Sequence, residues 1–380
     1  MNRREFMTSA ALGAAVMSSN HRRVDNILAI DSFCHFSPLE YIDLLLNLNG
    51  PNGSQGLTVQ RRLAASIIEL SDINARLKAM NDTGVDISIL TSQPFLEMAP
   101  GVSTDPVKAL QAAIFINDYM AKIADDHRKA IKWVAQLPVN LPSNDSNYAL
   151  MIGELKRCLS NGAVGGCFPV SPTIKPPDHP DFVGDSTKLG LFGEAARLKV
   201  PLWMHPARPA SVPDYQQDVP PISKYTLHLY FGWLLDESVS MVRIAFANAF
   251  GKYPDLKIIC HHRGALMPLF QARVSYEFDR FYNLDTGIPD NIDTPYLDHF
   301  RKFYVDTSTS ADAKTDASIL KIVYDFYGAD HVLFGTDAAF SLRGGRQGTL
   351  EAIASVQSLP VSKNQRENIF SNNILKLLQR

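Results

Sequence analysis

From Asn26 onward, short apolar runs alternate with longer segments in which apolar residues recur at helical spacing. The runs are nearly continuous in hydrophobic residues, as expected for strands that are buried on both faces. They comprise residues 27–33, 85–90, 131–137, 163–168, 200–204, 256–260, 303–305 and 332–334. Eight runs that alternate with helical segments predict an α/β fold consisting of a single (β/α)₈ barrel.

The helical segments have a period near 3.6 residues, which separates them from the strand-like runs. They are predicted near residues 61–83, 105–126, 147–159, 187–198, 237–253, 267–281, 313–327 and 349–357. A last helix near residues 364–378 is expected to pack outside the barrel, which would span residues 27–380. A doubly wound open sheet is the weaker alternative because no Gly-x-Gly-x-x-Gly turn follows the first strand.

The N-terminus, residues 1–26, differs in kind from the rest of the chain. Arg3 and Arg4 are followed two places later by Phe6 and then by a weakly apolar run of small residues. This pattern resembles a twin-arginine export signal, which predicts a periplasmic or exported protein. An ordinary amphipathic N-terminal helix is the alternative, and the protein would then stay in the cytoplasm.

Composition excludes several classes of function. The 380 residues are 46% hydrophobic and 20% charged, as in a globular protein with a large core, and the net charge is −2. Because no basic stripe is present, nucleic acid is not an expected partner. No apolar stretch is long enough for a membrane span. The four cysteines form no CxxC pair and are expected to be buried free thiols.

Candidate chemistry concentrates where strands are predicted to end, which is where parallel barrels carry their active sites. His35, His205, His261 and His262 follow strands one, five and six, and Asp337 follows strand eight. Each histidine alone is more often structural than a ligand. Two imidazoles and a carboxylate together suit one divalent metal, with zinc expected and manganese or iron as alternatives. The favoured ligands are His35, His205 and Asp337.

Several segments resemble the amidohydrolase-related family that includes aminocarboxymuconate-semialdehyde decarboxylase and the metal-dependent hydroxybenzoate decarboxylases. The segments occur in the family's order and are Ala75-Arg76-Leu77 through Gly84-Val85-Asp86, Trp203-Met204-His205-Pro206, Pro254 through His262 with Gly264 and Pro268, and Phe334-Gly335-Thr336-Asp337. The similarity covers about residues 27–340, and it is specific to the family rather than to one activity.

The resemblance implies roles for individual residues. His205 and Asp337 would be metal ligands, and His262, six places before Pro268, would be the acid/base histidine. Adjacent strand residues face opposite sides, so only one of the two adjacent histidines is expected to point into the barrel mouth. By the same pattern, His261 would face the surrounding helices.

The first strand departs from the family pattern, which ends in His-x-His or Glu-x-His. This chain has Phe33-Cys34-His35, and a phenylalanine cannot bind metal. Asp31 is expected on the same strand face as His35 but deeper. Strand four ends in Gly166–Pro169 without the lysine that often bridges two metals, so a two-metal site is not predicted.

Three functions remain open from the sequence. The first is a decarboxylase, a carbon–carbon lyase, for an aromatic or unsaturated small-molecule carboxylate, with Arg208 holding the carboxylate and His262 moving the proton. The second is a single-metal hydrolase of an ester, lactone or amide, with Asp337 taking up the proton of water. The third is a non-catalytic barrel that serves as a partner subunit, which Phe33 favours.

Two further expectations concern loops. Arg208 is equally compatible with being a solvated loop charge. The long loop over residues 206–236 is expected to cap the rim and could be shared with a second copy in a homo-oligomer.

Overall fold

The computed structural model describes residues 24, 26–51, 55–93, 99–138, 145–169, 189–206, 227–281, 292, 295–308, 313–341 and 343–379. The twin-arginine pair, Arg208 and residues 207–226 of the predicted cap lie outside these ranges. Among the described helices, none is both long and apolar enough to cross a membrane.

Eight parallel strands form the centre of the described chain, and each pairs with the next. They are β1 (Ile30–His35), β2 (Ile87–Thr91), β3 (Ile131–Trp133), β4 (Gly166–Pro169), β5 (Leu202–His205), β6 (Ile258–Cys260), β7 (Tyr304–Asp306) and β8 (Val332–Leu333). Past Val134, β3 continues as Ala135–Gln136, which pairs with β4. Ser32 N donates to Phe334 O at 2.8 Å and joins β1 to the end of β8. The predicted (β/α)₈ barrel is confirmed.

Helices surround the strands and connect each to the next. They are α1 (Leu39–Asn49), α2 (Gln55–Ser66), α3 (Ile68–Ser71), α4 (Ile73–Thr83), α5 (Pro100–Ser103), α6 (Pro106–Asp126), α7 (Asp145–Ser160), α8 (Leu189–Leu198), α9 (Trp233–Phe246), α10 (Ala249–Lys252), α11 (Met267–Phe281), α12 (Leu297–Phe300), α13 (Ala313–Tyr327), α14 (Arg346–Ser358), α15 (Lys363–Glu367) and α16 (Asn373–Leu377). A π-helical turn over His228–Gly232 precedes α9, and another over Asn368–Asn372 joins α15 to α16.

The segment between β1 and β2 differs from the prediction. The expected helix near residues 61–83 is divided into three, with breaks at Ile67 and Asp72. At the second break, the Asp72 side chain accepts from Ala75 N at 2.8 Å as an N-cap. The preceding helix α1 was not predicted. It buries Tyr41 and Leu45, although the sequence around it is rich in turn-forming residues.

Two apolar layers result from the alternation of side chains along each strand. Ile259 belongs to the inner layer together with Phe33 and Trp203, whereas Ile258 and Cys260 belong to the layer between strands and helices. All four cysteines are buried and free, as predicted.

The C-terminal helix closes one end of the barrel. On α16, Ile374 and Leu377 belong to the inner layer with Ile30 and Ile87, the first residues of β1 and β2. The helix therefore covers the end where strands begin, and the expectation that it lies outside with the other helices is wrong. The opposite end, where the strands finish, carries the polar side chains.

Candidate active site

An irregularity in β1 decides which of its residues face the barrel mouth. The register with β2 shifts between Asp31 and Cys34, so the usual alternation is interrupted. Phe33 then points into the inner layer, while Asp31 lines a cavity beside Arg76 of α4. The expectation that Asp31 shares a face with His35 is wrong for this reason.

Asp31 instead anchors the segment after β8. Its carboxylate accepts from Thr336 N at 3.0 Å and from Thr336 Oγ1 at 2.6 Å. Burial raises the pKa of Asp31 to about 6, although the hydrogen bonds from Thr336 oppose the shift. Since both oxygens are engaged outside the mouth, Asp31 does not belong to the site.

His35 and His205 meet at the centre of the rim. Their Nε2 atoms are 3.2 Å apart, and both side chains are buried. His205 Nδ1 donates to Pro206 O at 2.6 Å, and His35 Nδ1 lies 3.3 Å from Thr91 Oγ1, whose own proton goes to Cys34 O. These partners hold the proton on Nδ1 of each ring, so the two Nε2 lone pairs face each other.

Electrostatics keep both rings neutral. Burial, and then the charge on His261, lower the pKa of His35 well below its ordinary value. Burial and the charges on the neighbouring histidines do the same to the pKa of His205. Both residues therefore offer a lone pair rather than a proton.

Asp337 reaches the same point from the segment after β8. Gly335 permits a close approach to β7, because a Cβ there would lie 2.8 Å from Asp306 Cβ. Asp337 then adopts a left-handed backbone with φ of 54°, and its Oδ1 lies 3.4 Å from His35 Nε2. Burial opposes its charge, but the neighbouring His261 ring outweighs burial and lowers the pKa of Asp337.

Both adjacent histidines after β6 face the rim, so the expectation that His261 faces the helices is wrong. His261 continues the inward alternation that Ile259 sets on the strand. The chain leaves the extended conformation at His262, whose φ is 51°, and this turn brings the second ring back to the mouth. The motif glycine, Gly264, follows with φ of 72°, where a Cβ would collide with Tyr327 Oη at 2.2 Å.

His261 is enclosed by charged and aromatic neighbours. Its Nδ1 pairs with Asp306 Oδ2, and its Nε2 lies 3.5 Å from Asp337 Oδ1. The ring of Phe33 stacks on it with centroids 3.8 Å apart and an interplanar angle of 11°. Burial favours the neutral ring, but the Asp306 carboxylate outweighs burial and raises the pKa of His261 to about 10.

His262 has its own carboxylate partner on α9. Its Nδ1 lies 3.0 Å from Glu237 Oε2, and its Nε2 lies 3.9 Å from Asp337 Oδ2. Trp233 stacks over the ring with centroids 6.0 Å apart. Glu237 is fully buried, and burial raises its pKa. The predicted acid/base residue is thus oriented by a carboxylate, with its Nε2 toward Asp337.

The donor atoms of the rim suit a cation. One ring nitrogen from each of His35, His205 and His261 lies within 4.8 Å of the others, and one ligand atom from each of His261, His262 and Asp337 does as well. Opposed lone pairs without a proton between them repel one another, and a divalent cation relieves this repulsion. Among the predicted ligands, His35 Nε2 lies 3.2 Å from His205 Nε2 and 3.4 Å from Asp337 Oδ1. Imidazole nitrogens and a carboxylate of this kind are donors that suit one divalent metal ion.

The comparison with known families supports the resemblance seen in the sequence. A family model described as amidohydrolase matches residues 30–380. The chain belongs to the amidohydrolase family.

Curated relatives of this amidohydrolase include decarboxylases. The 2-amino-3-carboxymuconate-6-semialdehyde decarboxylase of Dictyostelium discoideum is 24% identical over 307 residues, which cover 81% of this chain and 76% of the relative. The gamma-resorcylate decarboxylase of Rhodococcus jostii (strain RHA1) is 24% identical over 318 residues, covering 79% of this chain and 87% of the relative.

A solved structure shows a similar fold. The dihydroxybenzoic acid decarboxylase from Polaromonas sp. JS666, crystallised with manganese and the inhibitor 2-nitroresorcinol, superposes with a TM-score of 0.69 at 22% identity. The superposition covers 93% of this chain and 97% of that chain.

Two site residues of this amidohydrolase were not predicted. Asp306 ends β7, so the rule that directed attention to strand ends could have found it. Glu237 lies on α9, and helical spacing alone gives no sign that it points at the mouth. Trp203 is part of the inner layer, and its Nε1 donates to Ser32 O at 2.8 Å, as suits a core residue.

Proposed function

We propose that this amidohydrolase is a single-metal decarboxylase that removes CO₂ from an aromatic or unsaturated carboxylate. One observation carries the proposal: Asp337 lies 3.4 Å from Nε2 of His35, which meets His205, and 3.9 Å from Nε2 of His262, whose ring is oriented by a carboxylate. The activities named for its relatives in Dictyostelium and Rhodococcus support the reaction class.

The metal would be held by His35, His205 and Asp337. When bound, it would orient the substrate's carboxylate or a neighbouring oxygen and stabilise developing negative charge. Zinc is the ion that we propose for this donor set. Manganese, which is bound in the Polaromonas enzyme, is the alternative to test.

His262 would complete the reaction. When the bond to the carboxyl group breaks, CO₂ leaves and the electron pair stays on the substrate carbon. That carbon takes the proton held at His262 Nε2, and the ring regains a proton from solvent. The contact between Nδ1 and Glu237 Oε2 keeps Nε2 aimed at the mouth. Arg208, which lies outside the described residues, is our proposed anchor for the substrate's carboxylate.

A paired assay tests this proposal. The full chain is loaded with Zn²⁺ or Mn²⁺ and offered hydroxybenzoates, including gamma-resorcylate, and 2-amino-3-carboxymuconate 6-semialdehyde, while CO₂ release and metal content are measured. His331→Gln serves as a matched control, because His331 precedes β8 at the opposite end of the barrel. We expect CO₂ in equal amount to product.

Two outcomes would contradict the proposal. Cleavage of esters, lactones or amides without CO₂ would establish the hydrolase alternative, in which Asp337 accepts a proton from water. A folded protein that binds no metal and turns over neither the carboxylates nor the esters, lactones and amides would establish the non-catalytic partner subunit.

We also propose export by the twin-arginine route, supported by Arg3 and Arg4 in the sequence. Replacing both with lysine should retain the protein in the cytoplasm of a bacterial host, whereas the unaltered chain should appear in the periplasmic fraction. Equal distribution of the two chains would favour the cytoplasmic alternative.

A further inference from the structure

We propose that His261 is a fourth protein ligand of the metal and supplies, from β6, the nitrogen that Phe33 cannot supply from β1. Because a bound ion belongs to the proposed function, this inference rests on that function. In this assignment, His261 coordinates the ion and the adjacent His262 transfers the proton.

The free nitrogen of His261 points at the other ligands. Its Nε2 is buried and has no hydrogen-bond partner among the described residues, and Asp337 Oδ1 lies 3.5 Å away. One ring nitrogen of His261 lies within 4.8 Å of a ring nitrogen of His35 and of a ring nitrogen of His205. A buried, unsatisfied nitrogen is costly, and coordination of a cation would satisfy it.

The second nitrogen of His261 is held as in carboxylate–histidine–metal arrangements. Nδ1 pairs with Asp306 Oδ2 and lies 3.2 Å from Ser308 Oγ. Asp306 is itself fixed, because its Oδ1 accepts from Arg263 N at 3.2 Å and from Ser308 Oγ at 2.7 Å. The ring therefore cannot turn Nε2 away from the centre without breaking buried contacts.

Phe33 occupies the space beside this ring. Its stacking on His261, at 3.8 Å between centroids, places an aromatic face where a coordinating side chain on β1 would otherwise reach the centre. The same ring is 5.9 Å from His35 and 6.1 Å from His205. Phe33 thus packs against all three imidazoles and fixes the position of His261 most closely.

His262 is distinguished from His261 by its position. It groups with His261 and Asp337 at metal-binding distances, but it is absent from the group that joins His35 and His205. Its ring centroid lies 6.4 Å from that of His205, compared with 5.5 Å for His261. The nearer histidine is therefore the better ligand.

Metal binding to the full chain tests this assignment. Calorimetric titration with Zn²⁺ and Mn²⁺ should show at least about 100-fold weaker binding for His261→Gln. Even the loss of a residue that only hydrogen-bonds to a metal ligand lowers metal affinity about 10- to 100-fold. His262→Gln should bind as the unaltered chain does. X-ray absorption of the zinc-loaded unaltered chain should count three imidazoles, and two after His261→Gln.

The possible failures can be told apart. If the unaltered chain binds no metal, the proposed function fails together with this inference. If it binds metal with two imidazoles, or if His261→Gln binds equally well, only the assignment of His261 is overturned. Should His261→Gln not fold, the imidazole count in the unaltered chain still decides between three and two.

Discussion

The rim has two walls that hold their histidines in different ways. The first wall, His35 and His205 with Asp337, rests on neutral partners, since the Nδ1 atoms of its rings face Thr91 Oγ1 and Pro206 O. The second wall, His261 and His262, has a buried carboxylate behind each ring, Asp306 and Glu237. Asp337 belongs to the first wall, and its carboxylate also lies 3.5 Å from His261 Nε2 and 3.9 Å from His262 Nε2 in the second.

The difference has a chemical consequence. Neutral partners leave an imidazole uncharged and its Nε2 lone pair available, which suits a metal ligand. A carboxylate on Nδ1 stabilises the charged ring, and so it suits a residue that accepts and returns a proton. His261 combines both settings, because its carboxylate faces outward and its Nε2 faces the centre. The two walls should therefore respond differently to substitution.

The largest effect is expected where the two walls meet. Asp337→Asn keeps the shape of the side chain but removes the charge that the cation needs, so metal affinity should fall by at least about 100-fold. Activity should be lost with it. Calorimetry and metal content after dialysis measure the change. Retention of metal and activity would show that Asp337 is not a ligand.

Within the second wall, His262 should show activity loss without metal loss. His262→Asn removes the proton donor and should lower kcat by about 10² to 10⁴, the usual contribution of general acid–base catalysis. Metal content should remain that of the unaltered chain. Measuring both quantities on one preparation separates the walls, and a parallel loss of metal would contradict the separation.

The strand ends explain why the first wall could be predicted from the sequence. Nearly continuous apolar runs located the strands, and the barrel rule then placed His35, His205 and Asp337 at one end. The second wall was predicted in part. Which of two adjacent histidines faces inward depends on a left-handed backbone at His262, and no hydrophobic pattern encodes that turn.

Some features of the fold follow from contacts between distant segments. The irregularity in β1 separates Asp31 from His35, and it becomes visible only through the register with β2. Glu237 comes to His262 from a helix 25 residues earlier in the chain. Pairings of this kind depend on tertiary packing, so local spacing could not supply them.

A smaller loss of activity is expected when Glu237, the carboxylate behind His262, is changed and His262 itself is kept. Glu237→Gln keeps a hydrogen-bond acceptor for His262 Nδ1 but removes the negative charge, so kcat should fall by about 10- to 100-fold, less than for His262→Asn. KM and metal content should change little. If His262→Asn/Glu237→Gln is no slower than His262→Asn alone, the two residues act as one unit.

The smallest effect concerns what supports the first wall. Arg76 of α4 is buried and donates to the backbone carbonyls of Glu69 at 3.1 Å, of Ala338 at 3.3 Å and of His35. It thereby ties the end of β1 to the segment that carries Asp337. Arg76→Lys keeps the charge but loses the planar fork, and the free energy of unfolding should fall by about 1.5 kcal/mol.

Urea unfolding followed by circular dichroism measures this change, with a lower midpoint at an unchanged slope. Arg61→Lys is the matched control, because Arg61 pairs with Asp43 at the surface and its replacement should leave the midpoint nearly unchanged. Arg76 donates to the main-chain carbonyls of His35 and Ala338 and so positions two of the proposed ligands, His35 and Asp337. Arg76→Lys should therefore also weaken metal binding slightly. Equal midpoints for the two variants would mean that the strand ends are held by the barrel alone.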